Sequence, residues 1–381
     1  MLCEHFGKCG GCTYLDISYT EELEIKKEIL KECLAEYSNF FEILHPAPAQ
    51  SGYRNKMEFA FGDDGKDGNL SLGIRKKRSF YEVASPENCV LIHDDFKKIV
   101  NSTIHFFRNS PNGETFFHRK RHTGTLRHLV LRRGEFTGEI LVMLSATSDL
   151  QTPLEPFIKE LLALPLNGKI VGILHAINDG VADAVKNECI NILYGQDYYY
   201  EKICGLHFKV SAFSFFQTNS KAAEVLYGVV KNFTESSQTA LDLYCGTGTI
   251  SQIISPGFQT VIGVEIVEEA ISSARENASL NKITNCEFHA GDAFTVLEHK
   301  KIPAPDVIIV DPPRDGLHPK ALSKIAALSA PRIIYVACKP KSLARDLPIL
   351  IESGYQIEKI EAVDMFPRTP HVEAIALLRQ N

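Results

Sequence analysis

What this chain lacks already narrows it. In 381 residues there is no apolar run of the roughly 18 residues that a membrane-crossing helix needs. The N-terminus, MLCEHFGKCGGC, has no basic segment followed by an apolar one, so no secretory leader is expected and the protein reads as cytoplasmic. There is no surplus of positive charge. Forty-one Lys and Arg against 47 Asp and Glu give a formal net charge of −6. That argues against a surface that is basic throughout, and leaves room for a local stripe that meets phosphates. Internal repeats and low-complexity segments are also missing, so length alone bounds the organisation at two or three domains. With 44% hydrophobic and 23% charged residues, these should be soluble domains with large cores.

From about residue 238, short apolar runs alternate with helical stretches. TALDLYCGTGT (239–249) reads as a strand breaking into a Gly-rich turn. TVIGVEIV (260–267), CEFHAGDAF (286–294), DVIIVDPPRDG (306–316) and RIIYVACKP (332–340) read as further strands. Such alternation predicts a parallel, doubly wound α/β sheet. The last two runs, 355–366 and 372–380, leave no room for a helix between them, so they should form an antiparallel pair at one edge. Ligands of such sheets bind at the carboxyl ends of the strands. Gly246 and Gly248, Glu265, Asp292 and Asp311 all fall there. Gly246 and Gly248 allow close backbone approach, and Glu265 is placed to accept hydrogen bonds from a ribose. The turn lacks the full G-x-G-x-x-G of a dinucleotide site, which favours a mononucleoside cofactor such as S-adenosylmethionine (SAM). Asp292 also suits a helix cap.

Two residues near the C-terminus suggest chemistry. Cys338 ends an apolar run, and Glu373, in MFPRTPHVEAIALL (365–378), precedes another. A thiol and a carboxylate at strand ends beside a cofactor fold suggest a covalent nucleophile and a general base. Cys245, beside the glycine turn, is a rival thiol better suited to packing. Cys189, Cys204 and Cys286 read as inert core thiols.

Ten cysteines in a cytoplasmic chain point to metal or catalysis rather than disulfides. Cys3, Cys9 and Cys12 are spaced C-x5-C-x2-C, and Cys89 is the best fourth ligand, since Cys33 lies in a helical pattern (Glu21 to Tyr37). Four thiolates suit zinc or an iron–sulfur cluster, and three close cysteines with one distant look more like the latter. Residues from about 50 to 205 read as β-rich. Basic residues gather there: Arg75, Lys76, Lys77 and Arg78, then Arg119, Lys120, Arg121, Arg127, Arg132 and Arg133. Phe59, Phe61, Phe80 and Tyr81 are interleaved, which makes a nucleic-acid surface an expectation. Arg54, Asn55 and Lys56 are candidates to hold phosphate or a base. Gln217 and Asn219, in SAFSFFQTNS, could reach over a cofactor; for Asn219 a helix cap is an equal reading.

The four cysteines, FFQTN, DLYCGTGT, DPPRDG, the Cys338 segment and MFPRTPHVE occur in one order that spans nearly the whole chain. Together they resemble the SAM-dependent RNA uridine-5-methyltransferases, the TrmA/RumA/RumB family, in its iron–sulfur branch. The resemblance implies a C-terminal class I, Rossmann-like methyltransferase domain (206–381) and an N-terminal β-rich α+β domain (1–205) that bears the cysteine cluster and binds RNA. It implies that Gln217, Tyr244, Glu265 and Asp311 contact SAM. It assigns Cys338 as nucleophile and Glu373 as base, and places Cys3, Cys9, Cys12 and Cys89 on a 4Fe–4S cluster. Many members carry an extra N-terminal oligonucleotide-binding barrel, TRAM. This chain starts at the first cluster cysteine, so that barrel is expected to be absent, as in the RumB-type enzymes of 23S rRNA. A uridine of tRNA is the alternative substrate; the sequence leaves the oligomeric state open, and a monomer is consistent with it. The expected pocket lies between the two domains.

Other classes fit less well. Amino-group methyltransferases carry an aromatic residue after D-P-P, where this chain has Arg314. Radical-SAM enzymes use C-x3-C-x2-C, which is absent here. A non-catalytic RNA-binding module would leave Cys338 and Glu373 without a role.

Overall fold

A computed structural model describes residues 3–65, 68–181, 189–299 and 304–381. The chain folds into two compact units. One comprises Met1–Asp16, Ala49–Lys202 and Lys209–Phe213; the other comprises Ile17–Pro48, Ile203–Phe208 and Ser214–Asn381. A single cut at 205 therefore does not describe the chain. Residues 17–48 leave the N-terminal half and join the second unit.

The reason lies in two elements. Helix α1 (Tyr19–Leu34) starts on a capping box: Glu21 N–H donates to Ser18 Oγ at 3.2 Å, and Ser18 N–H donates to the Glu21 carboxylate at 2.9 Å. Its Leu30 and Leu34 are buried in the core of the second unit. Strand β1 (Phe41–His45) pairs in parallel with the edge of that unit's sheet.

The first unit holds a seven-stranded sheet built from β2 (Lys56–Asp63), β3 (Leu70–Arg75), β4 (Val83–Ala84), β5 (Leu126–Arg133), β6 (Glu139–Ala146), β7 (Lys169–Ile177) and β8 (Cys189–Gly195). Their order is β4-β3-β2-β5-β6-β7-β8. Helices α2 (Asp94–Arg108) and α3 (Glu155–Leu162) accompany it, and α3 makes the crossover between the parallel strands β6 and β7. A separate pair, β9 (Tyr198–Ile203) with β10 (Leu206–Ser211), follows in sequence.

The second unit continues with α4 (Ser220–Thr234), β11 (Ser237–Leu243), α5 (Thr249–Ile254), β12 (Phe258–Glu265), α6 (Glu268–Leu280), β13 (Cys286–Ala290), α7 (Ala293–His299) and β14 (Val307–Val310). Then come α8 (Pro319–Ala327), β15 (Arg332–Ala337), α9 (Pro340–Glu352), β16 (Tyr355–Val363) and β17 (Glu373–Gln380). The sheet order is β1-β16-β17-β15-β14-β11-β12-β13. Strands buried on both faces read as continuous apolar runs, such as Val307–Val310, which is parallel to both neighbours, and residues 333–337 of β15, which is parallel to β14 and antiparallel to β17. This is the Rossmann-like α/β fold that the alternation predicts. The final antiparallel pair forms, but not as an edge: β17 lies between β15 and β16, and β1 covers β16.

Candidate active site

The sheet topology brings the chemistry to one end of the second unit. Tyr244 to Gly248 follow β11, Glu265 ends β12, Asp311 follows β14 and Cys338 follows β15. These strands run parallel. Strand β17 runs the other way, so its first residue, Glu373, arrives at the end where β15 leaves off. Ala337 and Ala374 face each other across the ladder, which sets Cys338 and Glu373 side by side in register.

The glycine turn is strained in the way a ligand loop requires. Tyr244, Gly246 and Gly248 have φ of 64°, 53° and 71°. A Cβ on Gly246 would meet nothing within 4 Å, whereas one on Gly248 would strike Phe288 at 2.6 Å. The first glycine thus faces open space and the second is packed. Glu265 is held by two amides: Gly246 N–H donates to Oε2 at 3.3 Å and Val267 N–H to Oε1 at 3.1 Å. The half-buried Tyr244 hydroxyl is pushed up by burial and by the Asp292 and Glu265 carboxylates, so these three share one neighbourhood. Asp292 caps α7, with Oδ1 accepting from Phe294 N–H at 3.2 Å and Thr295 N–H at 3.1 Å. Asn219 is likewise a cap. Its Oδ1 accepts from Ala222 N–H at 3.2 Å, and its Nδ2 donates to the Met365 carbonyl at 2.8 Å. Gln217 is half-buried two residues earlier.

Cys338, Glu373 and Asp311 form one electrostatic group. Burial pushes the Asp311 carboxyl up to about 7. Glu373, 5% exposed, is held well above the carboxylate range by burial first and by Asp311 second. Burial, then Glu373 and Asp311, push the Cys338 thiol up to about 11, and the Arg314 guanidinium acts in the opposite sense. In the free protein at neutral pH, Cys338 is therefore a thiol, and the same burial favours the protonated form of Glu373. Neither group readily ionises while its neighbour is charged. Lys339 does not serve the thiol directly: its ammonium lies 3.8 Å from Asp315. The N-terminus of α9 follows at Pro340 and favours negative charge there.

Residues that sequence reasoning passed over hold the Asp311 loop. Buried Asp346 accepts from Leu317 N–H at 2.9 Å and from the Tyr335 hydroxyl at 2.7 Å. Arg345 donates to Asp346 and to the Asp315 carbonyl. Gly316, at φ 73°, leaves room for both, since a Cβ there would approach Arg345 at 2.5 Å and Asp346 at 2.6 Å. An Asp six residues into a helix carries no such signal in sequence.

The rival thiols separate by environment. Cys245 is buried against Ile271, Ala274 and Phe288, and its thiol is pushed well up by burial. Cys189 and Cys204 are exposed, and Cys33 and Cys286 half-buried, so the expected core thiols are not all in the core. The runs around Cys189 and Cys204 form strand ends and turns at the surface, where apolar neighbours do not bury them.

In the first unit, Cys3, Cys9, Cys12 and Cys89 line one cavity with His5, Phe6, Leu15 and Leu91. Tight turns bring them there, through Phe6 N–H to Cys3 O at 2.9 Å, Cys9 N–H to His5 O at 3.1 Å and Cys89 N–H to Pro86 O at 2.9 Å. Burial raises the Cys89 thiol, with the nearby Cys9 and Cys3 adding to it. Among the described residues, no three His, Cys, Asp or Glu side chains converge as ligands of a metal ion.

The expected basic surface divides in two. Arg127, Arg132 and Arg133 are buried. Arg127 lies 4.2 Å over Phe117 and donates to the Asn178 and Gly180 carbonyls. Arg132 donates to the Ser211 and Ala212 carbonyls, and Arg133 lies 3.6 Å from Asp95. These are structural arginines. Asn55 is buried, and burial with Arg132 nearby lowers Lys56. Lys77, Arg78, Lys120 and Arg121 are exposed. Around them Phe80 is 66% exposed with Lys120 above its ring, and Tyr81 stacks on His118 at 4.3 Å.

The comparisons with known proteins bear on this arrangement directly. A family model described as tRNA (Uracil-5-)-methyltransferase matches residues 189–381. An uncharacterized RNA methyltransferase of Clostridium tetani is 46% identical, over 99% of this chain and 83% of its own length. Another, from Bacillus cereus, is 32% identical over 99% of this chain and 82% of its own. This chain belongs to the tRNA (uracil-5-)-methyltransferase family. Its fold is that of the Pyrococcus abyssi tRNA (uracil-54, C5)-methyltransferase solved with S-adenosyl-L-homocysteine. The TM-score is 0.80 at 28% identity, covering 97% of this chain and 86% of that one. Membership makes the chain a SAM-dependent RNA methyltransferase. No helix among the described residues is long and apolar enough to cross a membrane.

Proposed function

We propose that this chain methylates C5 of a uridine in RNA, with Cys338 as covalent nucleophile and Glu373 as base. The observation that carries the assignment is the antiparallel insertion of β17, which sets Glu373 beside Cys338 at the sheet end where the Glu265 and Gly246 turn also lies.

C5 of uracil is a poor nucleophile. The Cys338 thiol gives its proton to solvent, and the thiolate adds to C6, leaving an enolate with electron density at C5. Bound SAM would supply an electrophilic methyl group to that carbon, its S–CH3 bond breaking and S-adenosylhomocysteine leaving as the neutral thioether. Glu373, as carboxylate, then removes the C5 proton, the C5–C6 double bond reforms and the C6–S bond breaks, returning the thiolate. Burial that raises Glu373 also makes it a base of adequate strength. Tyr244, Glu265 and Asp311, with Gln217, are the residues that would hold SAM. Glu265 is already fixed by two amides, as an acceptor for ribose hydroxyls should be. The target base must leave its stack to reach Cys338. The exposed Lys77, Arg78, Lys120 and Arg121 with Phe80 and Tyr81 supply the charge and stacking surfaces that suit RNA.

The test is a covalent adduct with RNA that carries 5-fluorouridine. Fluorine cannot leave as a proton, so the Cys338–C6 bond persists and is seen by denaturing electrophoresis. A wild-type enzyme that forms no adduct in the presence of SAM refutes the mechanism.

Of the RNA classes, 23S rRNA is the substrate we propose, as one of those that the RNA uridine-5-methyltransferases resembled by the motifs act on. Likeness to the Pyrococcus abyssi tRNA enzyme favours tRNA as the second reading. Nucleoside mass spectrometry of separated rRNA and tRNA, with and without the gene, decides between them. We further propose that Cys3, Cys9, Cys12 and Cys89 hold a 4Fe–4S cluster. Four thiols around one largely apolar cavity suit a cubane, which spreads its thiolates more widely than a single ion does. Methyl transfer needs no electron from it, so its contribution is to fasten residues 3–12 beside Cys89. Iron and sulfide content after anaerobic purification tests this.

A further inference from the structure

The loop that ends at Glu373 is fastened by a buried ion network that the reaction itself does not require. Lys26 of α1 is 1% exposed. Its ammonium donates to Glu22 Oε1 at 2.7 Å, Asp364 Oδ1 at 2.7 Å and the Phe366 carbonyl at 3.3 Å. Three donors thus meet three acceptors. Tyr19 Oη donates to Asp364 Oδ2 at 2.9 Å, and Arg368 donates through its N–H at 2.6 Å, and through its guanidinium at 3.4 Å, to Glu22. Asp364 follows β16, Glu373 begins β17, and Val363 pairs with Glu373 across the ladder. The anchored stretch is therefore the connection that presents Glu373. Its other anchor is the amide of Asn219, two residues from Gln217, on the Met365 carbonyl.

We infer that Lys26 is a positioning residue for Glu373: its ammonium holds the 364–372 connection so that the carboxyl stands beside Cys338. The inference rests on the reading of Glu373 as the base. Two carboxylates and two cations cancel within the network, and since such buried pairs bring little net stability, fixed geometry is the role inferred for this one. Apolar packing could secure the connection without that desolvation, but it would not fix the direction in which the connection leaves Asp364. Without the ammonium, Glu22 and Asp364 lose their shared cation, and the connection that both hold is released. Arg368, at φ 69°, is a non-glycine residue in the left-handed region, a conformation that persists only where surroundings impose it.

Lys26→Met keeps length and removes charge. The expected result is a full-rate adduct with 5-fluorouridine RNA, SAM affinity unchanged, and a covalent adduct that accumulates on ordinary uridine RNA. Turnover falls on the order of tenfold to a hundredfold, as a small misplacement of a reacting group does. Turnover close to wild type overturns the inference. So does a parallel loss of SAM affinity, fluorouridine adduct rate and turnover, which a merely structural role gives. If Lys26→Met does not fold, Asp364→Asn keeps the hydrogen-bonding shape and is read in the same way, with a smaller accumulation expected and no accumulation counting against it. Failure of the wild type to form the fluorouridine adduct refutes instead the covalent mechanism.

Discussion

Buried charge is treated in opposite ways by the framework of the two units and by the strand-end site. In the framework, deeply buried charges meet partners, as Lys26 meets Glu22 and Asp364 in the second unit; the first unit shows the same. Asp95, fully buried, accepts from Asn167 and Gly168 amides at 2.8 and 2.9 Å and faces Arg133. Glu201, also fully buried, accepts from the Glu135 and Phe136 amides at 2.8 and 3.1 Å. At the strand ends of the second unit, burial raises the Asp311 and Glu373 carboxyls, which both act on Cys338, and it raises Asp242, on which Asp311 acts. A satisfied buried charge builds a fold. A cluster of groups held away from their ordinary protonation marks chemistry.

That contrast is most severely tested at Cys338. Cys338→Ala should lower methyl transfer by roughly 10⁴-fold or more, because the covalent route is lost altogether. SAM binding, measured by calorimetry, should be unchanged. Turnover near wild type would mean that the thiol is a bystander.

Next in size is Glu373→Gln. A neutral amide of the same shape still lets the thiolate add, so the RNA adduct should accumulate while turnover falls by about 10²-fold to 10³-fold. Methylation that stops with no adduct visible on a denaturing gel would move Glu373 to an earlier step.

A smaller effect should be legible in stability against pH. Burial pushes Asp242, which accepts from Ser251 Oγ at 2.5 Å, up to about 7. Its folded value lies above its unfolded one, so the native state binds the extra proton. This group's contribution is full at low pH and is lost as pH rises from about 4 through about 7, at no more than about 1.4 kcal/mol per pH unit. Urea denaturation of wild type and Asp242→Asn at pH 5 and pH 8 checks the sign: the variant should gain on the wild type as pH rises. A gap that stays constant with pH would place the Asp242 carboxyl back in the ordinary range.

How much of this was legible in the sequence differs between the same two units. Strands buried on both faces announce themselves as apolar runs, and chemistry at their carboxyl ends follows, so Glu265, Asp311 and Cys338 could be placed. That Glu373 adjoins Cys338 depends on β17 inserting antiparallel between β15 and β16, which alternation does not reveal. In the first unit, Arg132 and Arg121 look alike in sequence, yet one is buried on carbonyls and the other exposed. Lys26 and Lys27 are consecutive. Lys27 pairs with Glu24 at the surface, and Lys26 is enclosed by Glu22 and Asp364, 338 residues away. Local pattern cannot register a partner at that separation. Nor does it show that Phe41–His45 crosses to the second unit's sheet, because a five-residue strand carries little signal alone.

The smallest expected effect falls on Cys245, and it sharpens the comparison most. Cys245 and Cys338 both stand just past the end of a parallel strand of one sheet, so position alone does not distinguish them. Surroundings do. Cys245 faces Ile271, Ala274 and Phe288, with its Sγ 2.9 Å from where a Cβ on Gly263 would lie, and burial holds its thiol in the neutral form. Cys338 has two carboxyls that compete with it for protons, a guanidinium and a helix N-terminus. Cys245→Ala should therefore cost about 1 kcal/mol of stability through a small cavity and leave turnover and adduct formation intact. Loss of the fluorouridine adduct in this variant, with SAM affinity preserved, would transfer the nucleophile's role to the glycine turn. It would also show that burial among apolar groups does not silence a thiol here.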